Sequence, residues 1–377
     1  MIFTDVLKYY KSNMRRFIAI FATISLSVLL VYVFQMLINS LTSSVYLTQI
    51  EPRKHFSIVR QKELLPDEKL INDIKARDET EEVLPLVLWS TGLNMIIGGD
   101  TQSDIAMLKE KDMDYLLSVM GMKIFEGRKP APGRHEILLH ERVAANKKLK
   151  IGDQFGALNS KNEWMSGSYR VVGLVRGKPV MSFAPYETAF SDYKINYEYQ
   201  FGAAIIPKKG MLETLNKYLD SLPNTYHVKT YNSSKENIES LTGNIDLLIT
   251  ILSIIVMIIA SVCVGFLCYI YFYQRRNEFG LLWAIGFSRI QVVNRVFIEI
   301  SGMNLAGLIA GIIISVVFGW ILRIYIYLPG GQNLYLFSLD SIIKALCVPL
   351  FATLFSIIPI WRMLRKLDPV SIIEGVM

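Results

Sequence analysis

Four histidines and three cysteines are the side chains of this 377-residue chain best suited to metal binding or nucleophilic chemistry, and their placement favours neither. His55, His135, His140 and His227 are scattered through a polar stretch. His135 and His140 fall on opposite faces of a strand predicted over 136–140, so the four are expected to be separate surface histidines rather than a shared metal site. Cys263, Cys268 and Cys347 all lie inside long apolar runs, where cysteine behaves as a small apolar residue. There is no G-x-S-x-G, no H-E-x-x-H and no phosphate-cradling G-x-x-x-x-G-K-[ST] loop, so no catalytic residue, metal or cofactor is expected on this chain. Glu299 stands apart, because it is ionisable within an apolar run. A functional role competes with a local ion pair to Arg295, one turn earlier, and the pair is the expectation.

The stretch with the most concentrated chemistry is Gln274 to Arg295. It mixes Arg275, Arg276, Arg289 and Arg295 with Phe279, Leu281, Leu282, Trp283, Ile285 and Phe287. Pinned between two apolar runs, such a segment is predicted to lie on a membrane surface as an amphipathic helix over 274–295. Gly280 and Gly286 each cost a free helix about 1 kcal/mol, which points to close backbone packing or a bend.

The elements that position this stretch follow from the distribution of apolar residues, which make up 52% of the chain. Apolar runs at 17–38, 245–273, 296–322 and 342–361, the first of them uncharged, each suffice for a bilayer crossing. A polar region, 39–244, separates the first two. The fold class is therefore an α-helical membrane protein of four transmembrane helices, with a mixed α+β extracytoplasmic domain inserted between helices 1 and 2. A basic amphipathic segment (1–16) precedes the first span, which is expected to be retained rather than cleaved as a signal peptide. An outer loop (323–341) and a basic tail (362–377) complete the order, and Pro349 and Pro359 are placed to kink the fourth span.

Charge fixes the expected orientation. Residues 39–244 hold 27 basic and 26 acidic side chains, and the rest hold 13 and 7. The excess lies beside the spans, which is the positive-inside pattern, and both termini are expected in the cytoplasm. The net charge of +7 is thus no nucleic-acid footprint. In the third span, Gly302, Ala306 and Ala310, together with Gly307 and Gly311, form small-residue stripes for helix packing or a dimer face. The second span continues an adjacent polar helical segment, which gives a stalk.

Glu278, Gly280, Ala284, Ile285 and Gly286 resemble the E-x-G-x-x-x-A-I-G motif of the MacB/FtsX family of ABC-transporter permeases. Glu126-Gly127-Arg128, Glu136-Ile137, Ile151-Gly152-Asp153 and Tyr169 to Gly173 resemble that family's periplasmic core domain, and Asp368-Pro369 its C-terminal ending. The resemblance implies a coupling helix in which Arg276, Glu278, Gly280, Leu281, Ala284, Ile285 and Gly286 engage the ATPase. It implies a permease in the cell (inner) membrane, working with two copies of a separate ABC ATPase that carries the ATP and Mg, with a second permease copy or homologue, and with a MacA-like adaptor. Its mechanism would be mechanotransmission and its substrates antimicrobial peptides, drugs, haem or lipophilic molecules. The alternative is an FtsX-like transmitter that activates an outer cell-wall hydrolase. Leu328-Pro329-Gly330-Gly331-Gln332 is similar to the L-S-G-G-Q motif of ABC ATPases, but its expected place in an outer loop makes it a turn.

Overall fold

The first apolar run folds as one helix, α1 (Met14–Val45), which continues through a wide turn (Tyr46–Ile50) into a short tight helix (Pro52–Lys54). The computed structural model describes residues 14–61, 68–97, 99–156, 167–190 and 201–366. The N-terminal segment and most of the basic tail lie outside these residues. Two units are distinguished: residues 39–244 with 322–334, and the rest.

The first of these units is built on one mixed sheet. In chain order it comprises β1 (Ser57–Gln61), α2 (Glu68–Lys75), β2 (Thr80–Asn94), β3 (Asp100–Leu108) and α3 (Glu110–Val119). There follow β4 (Lys123–Gly127), β5 (Glu136–His140), α4 (Glu141–Lys147), β6 (Gln154–Gly156), β7 (Ser168–Arg176) and β8 (Met181–Pro185). The unit closes with β9 (Phe201–Pro207), α5 (Leu212–Asp220) and β10 (Tyr226–Lys229). The strands run in the order β10-β1-β9-β2-β3-β8-β5-β7-β4, with β6 added beside β7. Alternation along β2 sends Leu84, Leu86 and Leu88 to a core shared with Leu116 of α3. Val87, Trp89 and Leu93 face a second core that takes in Leu47, just beyond α1. Side chains buried this fully contribute roughly 1.5–3 kcal/mol each. Beside them Arg53 pairs with Asp104 of β3, both buried, which fastens the extension of α1 to the sheet.

The Glu126-Gly127-Arg128 motif has a backbone reason. Gly127 has φ +76°, and a Cβ there would lie 2.4 Å from the Val172 carbonyl oxygen. Arg128 then donates to both carboxylate oxygens of Glu136, at 2.6 and 2.7 Å. Its guanidinium and the Ala131 N–H hold the Glu136 carboxyl down to about 2, against the opposing pull of burial.

His140, expected at the surface, is fully buried. Its Nδ1 accepts the Arg142 N–H at the start of α4, as a helix cap, and Nε2 donates to the Gly177 carbonyl at 3.2 Å. The strand alternation was read correctly, but β5 is covered on both faces. Burial pushes the imidazole down to about 4, with Arg142 and Arg176 adding to the effect.

The remaining helices are α6 (Tyr231–Gln274), α7 (Arg276–Ala284), α8 (Arg289–Leu322) and α9 (Leu339–Lys366). α1, α6, α8 and α9 are each long and apolar enough to cross a bilayer. α6 runs unbroken for 44 residues, so the polar segment before the second apolar run belongs to the same helix. The loop after α8 belongs to the sheet unit. Asn146 Nδ2 donates to the carbonyls of Gly330 (2.7 Å) and Asn94 (2.9 Å), and Gln332 Nε2 donates to Asn94 at 2.7 Å. Leu328 to Gln332 is thus a turn seated on α4 and the end of β2. Gly331 has φ +68°, and a Cβ there would come within 2.1 Å of the Arg142 carbonyl oxygen.

Gly331→Ala is therefore expected to lower the stability of the sheet unit by about 1–3 kcal/mol, read as a fall in melting temperature of the purified chain. An unchanged melting temperature would mean the turn is not seated on α4. Acid should act in good part through His140 and Glu136, which bind more protons unfolded than folded, with the lowered His55 adding to the upper window. Stability is expected to hold above pH 6.5 and to fall towards pH 4 as the unfolded His140 protonates, with a second loss from Glu136 between pH 4.5 and about 2. His140→Gln should flatten the upper window in unfolding curves taken across pH. The same slope in that variant would exclude His140 as its origin.

Candidate functional site

An arginine is set where α6 stops. Arg275, 5% exposed, breaks the helix between Gln274 and Arg276. Its Nη1 lies 2.7 Å from Glu299 Oε1 on α8, and its Nε 3.0 Å from Glu278 Oε2 on α7. The Tyr271 hydroxyl accepts from the same guanidinium at 3.2 Å and donates to Glu299 at 3.3 Å. The rings of Tyr271, Phe272 and Phe279 surround the charge at 5.3, 5.8 and 5.6 Å. One cation thus joins three helices.

This corrects the expectation for Glu299. Its carboxylate, 2% exposed, pairs with Arg275 from α6 rather than with Arg295 on its own helix. A carboxylate so deeply buried needs a cation that is buried with it, and the end of α6 supplies one. Sequence reading missed Arg275 as the partner. Its position just beyond the end of the 29-residue apolar run 245–273, separated from it by Gln274 alone, was the available signal.

The expected surface helix over 274–295 is two pieces. α7 ends in a Schellman cap: Phe287 N donates to Leu282 O at 3.1 Å and Gly286 N to Trp283 O at 3.0 Å, with Gly286 at φ +103°. Nothing lies within 4 Å of a Cβ at Gly286, so its glycine is required by the bend and not by packing. Ser288 and Gln291 then form a reciprocal capping box (2.8 and 3.3 Å), and Arg289 onward belongs to α8.

Of the residues expected to couple, Gly280 is buried, Arg276 is half-buried on Tyr273, and Glu278 is half-exposed beside Arg275. Leu281, Ala284 and Ile285 are exposed, Ile285 to 75%. Phe287 and Ile290, also exposed, extend the apolar surface across the bend. Arg289 lies over the Trp283 ring at 5.8 Å. The small residues of the third span part company. A Cβ on Gly307 would meet Ile24 at 2.8 Å and one on Gly311 would meet Val28 at 2.7 Å, so these two seat α8 against α1. Ser25 Oγ adds a hydrogen bond to the Gly307 carbonyl, 3.2 Å. Gly302 is exposed, and Ala306 and Ala310 are half-exposed on a separate stripe. No group of three or more histidine, cysteine or acidic side chains among the described residues is arranged to hold a metal.

Residues 250–369, which include this network, match the family described as FtsX-like permease C-terminal. Over 320 residues the chain is 22% identical to the macrolide export ATP-binding/permease protein MacB of Mannheimia succiniciproducens, which covers 80% of this chain and 48% of that protein. Residues 250–369 are thus similar to FtsX-like permeases, and most of the chain to MacB. MacB of Psychrobacter cryohalolentis is 27% identical over 147 residues, 39% of this chain and 22% of that protein. The chain thus spans about half the length, or less, of the curated relatives it matches. Among solved structures, the periplasmic region of MacB from Actinobacillus actinomycetemcomitans aligns with a TM-score of 0.30 at 15% identity, over 50% of this chain and 94% of that chain. The extracellular domain of the transporter YknZ from Gram-positive bacteria aligns with a TM-score of 0.27 at 13% identity, over 46% and 98%.

Glu299→Leu would leave the Arg275 charge buried with only the half-exposed Glu278 beside it. It is expected to cost about 3–5 kcal/mol, seen as a lowered unfolding temperature in detergent. The double variant Arg275→Met with Glu299→Leu should recover most of that loss. A single variant that melts like the parent would show the pair to be without structural weight.

Proposed function

We propose that this chain is the membrane subunit of an ATP-driven exporter that works by mechanotransmission, with the α7 bend as the surface that receives a separate ATPase. The carrying observation is an exposed apolar patch, Leu281, Ala284 and Ile285 continued across the bend by Phe287 and Ile290, that starts on a short helix capped at its end and clamped at its base by Arg275. An isolated nine-residue helix is marginal in water, so its shape rests on those tertiary restraints. Such a lever transmits a push from a partner without absorbing it locally.

In this reading two copies of the ATPase carry the ATP and Mg, two permease chains pair, and α7 lies in the cytoplasm with both termini. The sheet unit lies outside the inner membrane, where an adaptor of the MacA kind engages it. Nucleotide-driven closure of the ATPases shifts the permease between two arrangements. The relatives named for macrolide export favour lipophilic or peptide cargo over the hydrolase-activating role. Cargo is read from those names, not from the fold.

The test uses a chain whose native cysteines are replaced and which carries Ile285→Cys. A membrane-impermeant maleimide should label it only after permeabilisation, and a bound ATPase subunit should protect it. Ile285→Glu should reduce ATPase co-purification at least tenfold while leaving the melting temperature within a few degrees of the parent, because the side chain is exposed. Labelling from outside intact cells would invert the orientation, and full ATPase binding by the glutamate variant would remove α7 from the interface.

A further inference from the structure

A lateral groove of about 810 Å³ opens between α6 and the end of α9. Its size falls in the range of about 300–1,000 Å³ typical of small-molecule sites. Ser261, Gly265 and Tyr269 line it from α6, and Phe355, Trp361 and Arg362 from α9. Two sequence features create it. Pro359 lies inside α9 and has no N–H to give the Phe355 carbonyl, so the helix loses a hydrogen bond at the groove wall. Gly265 lies opposite, and a Cβ there would stand 3.6 Å from that same Phe355 oxygen. Beyond this contact the helices enclose a channel with an apolar body.

The charged and amphipathic groups are gathered at one end, while the Ser261 hydroxyl at the other is taken up by the Met257 carbonyl. Trp361 and Arg362 are exposed at the mouth, with Tyr269 across from them. Arg362 has no acidic side chain within ion-pair distance among the described residues. Arg365 and Lys366 follow it in sequence. This mouth lies on the side of the α7 bend, since the last turns of α9 share a second small cavity with Asn294 and Phe297 at the start of α8. A tryptophan and a tyrosine beside a cation, above an apolar slot, are the chemistry of the membrane interface, where basic pockets between spans take anionic lipid headgroups.

We propose that the α6–α9 groove is a binding site for an anionic phospholipid of the leaflet on the α7 side, with one acyl chain along the groove and the phosphate on Arg362. Charge decides the occupant. A zwitterionic lipid also brings a phosphate, but its ammonium adds a positive charge beside the basic run Arg362, Arg365 and Lys366, and an apolar helix from a second copy brings no anion at all. The proposal makes lipid charge a determinant of how α6 and α9 pack, independently of any ATPase.

The full-length chain is extracted from nanodiscs of phosphatidylcholine and phosphatidylglycerol, and retained lipids are counted by native mass spectrometry. The parent chain should keep phosphatidylglycerol preferentially. Arg362→Gln should retain about fivefold less, the share of one surface arginine. Val262→Trp, which fills the groove from its open side, should abolish retention while the melting temperature in pure phosphatidylcholine stays at the parental value. Phosphatidylglycerol brominated on its acyl chains should quench the fluorescence component that is absent from Trp361→Phe. Equal retention by Arg362→Gln, or equal quenching by brominated phosphatidylcholine, would overturn the charge selection. A disulfide between copies formed by Val262→Cys in native membranes, with no lipid retained, would overturn the site and give the groove to a second chain.

Discussion

A single guanidinium does the joining in the membrane half of this chain. Arg275 is taken out of water, and the cost of that is met only because Glu299, Glu278 and Tyr271 converge on it from three helices. The geometry of the bend follows. α7 has no freedom to swing about its base while Glu278 is held, and none to fray at its tip while Gly286 keeps the left-handed cap closed. What remains exposed is the apolar edge from Leu281 to Ile290. Ion pair, cap and edge form one device in which rigidity is concentrated where a load would enter.

A different economy holds the spans to one another. Gly307 and Gly311 let the backbone of α8 approach the Ile24–Val28 face of α1, and contact area replaces charge. Asn304 of α8 bonds Thr353 of α9 at 2.6 Å, and Lys344 bonds Gln35 at 3.0 Å. Polar bonds of this kind cost little to form in lipid, where the alternative partner is scarce, and they set register more than strength. Among the described residues the one charge-dense crossing is the Arg275 cluster. Directionality in this half of the molecule thus originates at a single point.

Much of this was legible in the residues themselves. Uninterrupted apolar length marks a span almost without ambiguity, and the four long helices fall on the four runs. The Glu126-Gly127-Arg128 turn could be anticipated because its chemistry is local: a positive-φ glycine and an arginine eight residues from its carboxylate. β3 could not, since Ser103 and Asp104, buried on its two faces, break the apolar alternation that marks a strand. Ser103 bonds the Val180 carbonyl, and Asp104 is inside because Arg53 is, which depends on how the chain returns from α1. β8 is buried at every position and so has no period to read. The Arg275–Glu299 pair spans 24 residues and two helices, and nearer charges on the sequence were the natural guess. The bend at Gly286 was half-readable. The glycine signalled either packing or a turn, and only φ decided between them.

The seated turn after α8 has a consequence for how this chain tolerates change in length. Loops that join membrane spans are ordinarily the most forgiving places in a polytopic protein, open to inserted residues and epitope tags. Here Gly330, Gly331 and Gln332 are each committed to a defined partner on α4 or β2, and Ser40 bonds the Asn333 carbonyl at 2.7 Å. The connection therefore works as a measured spacer whose residue count is set by the distance it must bridge. Among homologues, the surface beside α4 and the length of this short segment should drift together or not at all.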